Sequence, residues 1–217
     1  MSITIYYFSG TGNSYMAARA IWGRLDGRFV SIPSVMDMDK IRVDSDSIAI
    51  VFPAYLAAIS GVPSIVERFV KKLDDIKPLR IIAVCTCGDY ESVNALPALM
   101  RLRSIVRTCG GKLSAEYSVR LPMNNLDYDH IPIPICRECG KIIVRSVFKI
   151  DDIAARIEKG KGTKFRLIKA LFFYLMAPLY ALMRAAILRD LREKAKEPVD
   201  SKLTYRDLTP LTDKSIS

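Results

Sequence analysis

The sequence predicts an α/β domain: five parallel strands in the order 2-1-3-4-5, sandwiched between two layers of helices. Three observations carry this. Short apolar runs alternate with helical patterns along the first 121 of 217 residues. The runs are almost continuously apolar, as in strands buried on both faces. A loop of small residues joins the first run to the first helix, where an open doubly wound sheet places its ligand.

Residues 3–8 (ITIYYF) read as the first strand and 15–25 as the helix after it. Residues 28–32 form a short second strand, 47–52 (SIAIVF) a third, 80–86 (RIIAVCT) a fourth, and 112–121, which alternate more, a fifth. Helical patterns occupy 62–73 and 92–109, the latter closed by Gly110-Gly111. Residues 131–135 are broken by prolines, and 136–159 read as a helix. Gly160-Lys161-Gly162 reads as a hinge that divides a domain over 1–160 from an extension over 161–217. In the extension, residues 170–183 carry no charge, lie between Lys169 and Arg184 and are interrupted by Pro178; from Pro198 the chain turns polar.

Half of the residues are apolar, which excludes wholesale disorder. The net charge of +10 is concentrated: residues 156–196 hold eleven basic and three acidic side chains. Such a block suits an acidic protein, anionic lipid or nucleic acid, or is a solvated face; with no recognised motif for it, nucleic acid ranks last and is not expected. Five cysteines, an odd number, argue against a disulfide framework, and the chain opens on strand-like residues rather than a secretory leader. The expected location is the cytoplasm, with peripheral contact at the inner face of the membrane as an alternative.

The loop Ser9-Gly10-Thr11-Gly12-Asn13-Ser14 carries most of the chemistry. Its glycines let the backbone approach an anion, and the first amides of the following helix face the charge. Ser9, Thr11, Asn13 and Ser14 add side-chain donors. It lacks the lysine of a nucleoside-triphosphate loop, and Asn13-Ser14-Tyr15 after Gly12 breaks the dinucleotide fingerprint. A terminal monophosphate held by neutral donors fits best, and FMN carries one. The plain alternative is a tight strand-to-helix turn with a serine or asparagine cap.

Three further loops follow strands. Pro53-Ala54-Tyr55-Leu56 brings an aromatic ring with apolar neighbours, and Thr86-Cys87-Gly88-Asp89-Tyr90 brings a small residue beside a second aromatic. The last loop, after the fifth strand, includes Asn124. A flat tricyclic ring needs such an apolar slot, a stacking partner and backbone groups for its polar edge. Residues 53–60 contain no glycine, so a peptide there turned to positive φ would cost on the order of 1 kcal/mol.

These residues resemble a known family, the flavodoxin-like domain of proteins that fuse a flavodoxin to a ferredoxin. YFSGTGNS at 7–14, VFPAYLAAISGVPSIVERF at 51–69, Thr86-Cys87-Gly88 and Leu121-Pro122-Met123-Asn124 carry the resemblance, which is strong over 1–125. It implies a flavodoxin-like three-layer sandwich, noncovalent FMN and electron transfer. It implies that Ser9, Thr11, Gly12, Asn13 and Ser14 hold the phosphate while 53–56 and 86–90 flank the ring. Where a turned peptide bonds a reduced flavin, as the resemblance implies, the cost at the glycine-free residues 53–60 implies a lean toward two-electron behaviour. The family's Pro-x-Asn-Tyr step reads Pro122-Met123-Asn124-Asn125 here. Cysteines for a four-iron cluster are missing, since only Cys136-x₂-Cys139 occurs late in the chain. Either the ferredoxin is a separate protein, with it or another iron–sulfur protein as the expected redox partner, or the chain is a truncated or degenerate relative of the family.

Cys136 and Cys139 with His130 offer three zinc ligands where a structural site wants four, and ordinary helix cysteines are the preferred reading. Cys87 would lie beside the flavin, as a small wall residue. No acid–base pair stands out, which suits a shuttle between a reductase and an iron–sulfur protein or quinone. The alternatives are an NAD(P)H- or quinone-linked flavin reductase, or a flavodoxin-shaped docking module without flavin. Residues 170–183 must be covered; self-association through 165–190 or packing on the sheet domain is preferred to a peripheral membrane helix.

Overall fold

The computed structural model describes residues 2–55, 61–88, 95–122 and 136–163, with eight isolated helical positions between 171 and 189. The elements are β1 (Ile3–Tyr7), α1 (Asn13–Leu25), β2 (Arg28–Ser31), β3 (Ser47–Pro53), α2 (Ser64–Lys72), β4 (Arg80–Cys87), α3 (Ala95–Thr108), β5 (Leu113–Arg120) and α4 (Cys136–Glu158). The five strands are parallel and ordered β2-β1-β3-β4-β5. This is the flavodoxin-like arrangement that the sequence predicts.

Side-chain alternation explains why the central strands read as unbroken apolar runs. Ile48, Ile50 and Phe52 of β3, with Ile81 and Ala83 of β4, face Ile65, Phe69, Leu102 and Ile105 of α2 and α3. The intervening Ala49, Val51, Ile82 and Val84 face Ala17, Ala18 and Ile21 of α1 and Ile150, Ile153 and Ile157 of α4. Both faces are thus covered, and fully burying one such branched side chain stabilises the fold by roughly 1.5–3 kcal/mol. α1 begins at Asn13, two residues before the expected start. A short 3-10 turn at Pro33–Val35 was not foreseen; Pro33 sits at its first position, where a fixed φ suits the turn.

Parallel strands need crossovers, so the covering helices run back against the strand direction. The last turn of α4 meets the start of β4, where Arg80 donates to the Ile157 carbonyl at 3.2 Å. The chain then runs along β5: Thr163 N donates to Ser114 O at 3.3 Å and Glu116 N to Thr163 Oγ1 at 2.7 Å. The residues just past 160 are therefore tied to the sheet edge. The first turns of α4 extend the other way, toward the end at which the strands finish.

Candidate functional site

β1 and β3 are neighbours, yet α1 and α2, which follow them, lie on opposite faces of the sheet. The chain diverges here, and a crevice opens beyond the strand ends. The loop from Ser9 enters it. Gly12 sits at φ 96° as the residue that starts α1, a conformation that would cost a side-chain-bearing residue about 1–2 kcal/mol. A Cβ built on Gly12 would meet nothing within 4 Å, so the loop faces open space at that point.

No side chain caps α1, and its first turn holds no acidic residue. The first amides of a helix lack intrahelical partners, and the helix dipole adds positive character there. By contrast, α2 carries Glu67 in its first turn. The start of α1 is therefore suited to an anion from outside the chain.

Several expected side-chain donors have other work. Asn13 donates through Nδ2 to the Pro122 carbonyl at 2.9 Å. The Ser14 hydroxyl pairs with that of Thr86 at 2.7 Å, and both residues are buried. Asn13 and Ser14 thus lock the loop in place, leaving their first-turn backbone amides as the groups to offer an anion. Ser9 Oγ accepts from Gly12 N at 3.0 Å, and its own proton can still be donated. Thr11 is exposed at the loop tip.

Thr86 is the hub. Its hydroxyl holds α1, and its carbonyl accepts from Ala54 N at 2.7 Å, which ties the end of β3 to that of β4. Pro53 lies opposite Thr86 in the ladder. Tyr55 is half-buried, with its ring edge-to-face on Phe8 at 6.2 Å between centroids, and burial pushes its hydroxyl pKa above the usual value. Cys87 is buried, its thiol directed to the Val119 carbonyl at 3.8 Å, so it is part of the wall. Gly88 is half-buried at the end of β4. Gly10 is likewise half-buried in the first loop. Leu56, Asp89, Tyr90, Asn124 and His130, and with them the glycine-free turn at 56–60, lie outside the described residues. Cys139 is half-buried on α4, and the Cys136 side chain is outside them too. Among the described residues no group of three metal-ligating side chains comes together.

Two features escape the sequence reading. Gly61 closes the loop after β3, accepting from Tyr55 N at 3.0 Å. It has φ 68°, and a Cβ there would lie 2.8 Å from Ala98 Cα, so only glycine fits. The Pro122 carbonyl anchors Asn13 across 109 residues of sequence. A small residue before Val62-Pro63 hinted at the first; nothing in the spacing could indicate the second.

No family model and no curated protein sequence matches the chain. Solved structures with a similar course include the Trp repressor binding protein from Bacillus subtilis (14% identity, 75% of this chain and 100% of that one, TM-score 0.48). Two-electron reduced flavodoxin from Megasphaera elsdenii is another (21%, 66% and 98%, TM-score 0.39). A mutant flavodoxin from Fusobacterium nucleatum bound to flavin mononucleotide is a third (16%, 68% and 95%, TM-score 0.40). At such identities and TM-scores the likeness carries no argument about chemistry; the site's own geometry has to carry it.

Proposed function

We propose that this chain is an FMN-binding electron-transfer protein that passes electrons between a reductase and an iron–sulfur protein or quinone. The observation that carries the reading is the uncapped, acid-free start of α1, opening at the divergence of β1 and β3. The residues around it fit a monophosphate ester: the backbone amides of Gly10, Thr11, Asn13, Ser14 and Tyr15, with the Ser9 proton and the Thr11 side chain, would surround the phosphate. Ser14 and Asn13 hold that cradle in shape through Thr86 and Pro122, so little ordering is left to be done on binding. The backbone at Pro53–Ala54 and Cys87–Gly88 would border the ring, with Tyr55 beside it. Bound FMN would supply one- and two-electron chemistry that no side chain can, and the protein would position its edge and limit solvent access.

The test is flavin binding by the purified chain. FMN should bind in a one-to-one complex, and riboflavin, which lacks the phosphate, at least about ten-fold more weakly, a difference of 1.4 kcal/mol. A chain that takes up neither, or binds both equally, would remove the reading.

A further inference from the structure

Two exposed surfaces share one chemistry. On α4, Ile143, Val144, Val147 and Phe148 are 42%, 57%, 53% and 73% exposed. The same helix buries Ile150, Ile153 and Ile157. Every charge between Cys139 and Ile150 is basic: Lys141, Arg145 and Lys149. The second surface comprises Leu171, Leu175, Leu179 and Leu182, which are 61%, 71%, 47% and 70% exposed. Their spacing of four, four and three residues places them along one helical stripe. From Lys159 to Arg189 the sequence holds seven Lys and Arg and not one Asp or Glu. A single exposed leucine needs no explanation, but two clusters of large apolar side chains set among cations do.

We propose that these two surfaces seat the protein on an anionic phospholipid bilayer. The sheet domain does not cover the four leucines, as their exposure shows. A second copy fits poorly: a two-fold contact would set each wholly basic patch against itself, and like charges across an interface are unfavourable. An acidic protein would answer the cations, but residues 170–183 run for fourteen consecutive positions without a charge, more than one contact side would need. Acyl chains accept every side, and anionic headgroups answer the cations. Even as one unbroken helix, fourteen residues would measure about 21 Å, short of a bilayer core of roughly 30 Å. Lys169 and Arg184 at its ends can extend their stems to the headgroups. The segment would thus lie in the interface. Likewise no helix among the described residues is long and apolar enough to cross a membrane.

The inference stands apart from the flavin reading, because vesicle binding needs no flavin. Co-sedimentation of the full chain with phosphatidylcholine vesicles, with and without phosphatidylglycerol, tests it. Partitioning into the anionic vesicles should be about ten-fold or more above the neutral ones at low salt, and should weaken at high salt as screening sets in. The Val144→Ser/Phe148→Ser and Leu175→Ser/Leu182→Ser variants should each lose several-fold, with circular dichroism unchanged. Lys164→Gln/Arg166→Gln/Lys169→Gln, which leaves the apolar faces intact, should lose the preference for anionic lipid. Equal partitioning into both vesicles, or none into either, overturns the proposal. So does light scattering that finds a dimer which the leucine variant splits while vesicles capture neither form.

Discussion

At the residue scale the site depends on Thr86, whose hydroxyl holds the first turn of α1 and whose carbonyl holds the end of β3. A hydroxyl pair as buried as Ser14 and Thr86 is sensitive to loss of one partner, because the survivor is left without either water or a hydrogen bond. Ser14→Ala should therefore destabilise the fold by roughly 1–3 kcal/mol, and Thr86→Val by a similar amount. The double variant should cost clearly less than the sum, since neither hydroxyl then remains to be satisfied. Urea unfolding of the four proteins measures this directly, and strictly additive losses would mean that the pair is not coupled. FMN affinity should fall in the single variants along with stability, because the same bond fixes the first turn of α1.

At the element scale the start of α1 can be separated from the stability of the helix. Thr11 is exposed and precedes the helix, so Thr11→Asp would place a carboxylate near the positive end of the dipole. That should leave stability unchanged or raise it by about 0.3–1 kcal/mol. The same carboxylate would repel a phosphate, so FMN binding should weaken by about ten-fold or more while riboflavin binding is spared. Calorimetric titration with both flavins checks this; equal losses for both would point to general damage. The elements themselves were legible because burial on both faces writes strands as unbroken apolar runs, as at Ile48 to Phe52, and because Gly110-Gly111 closes α3. The cradle was legible as a loop of small residues between a strand and a helix. The division of labour inside it was not. Asn13 and Ser14 read as ligand donors, but their partners are a carbonyl at Pro122 and a hydroxyl at Thr86, and sequence holds no local trace of contacts at that separation.

For the whole molecule, three tyrosines contribute to the alkaline limit. Tyr6 is buried against Phe69, with ring centroids 4.7 Å apart, while Tyr55 and Tyr117 are half-buried. Burial is the largest cause in each case, and it raises each phenol above the ordinary value of 10.0. For Tyr6 the nearby Arg28 lowers the value and Asp44 raises it, with the net shift upward. Above the unfolded pKa the unfolded chain sheds phenol protons that the folded chain keeps. The unfolded state then binds fewer protons, so stability must decline as pH rises from the ordinary value through the folded ones, and is fully present below it. The urea midpoint should thus hold steady up to about pH 9 and fall as pH rises past about 10, with phenolate absorbance of the buried rings growing in only as the chain unfolds. Tyr6→Phe removes one of the three contributions while keeping the ring on Phe69, and so should make that decline shallower. A midpoint that stays flat through this range, or a decline just as steep in Tyr6→Phe, would show that these rings ionise without resistance from the fold.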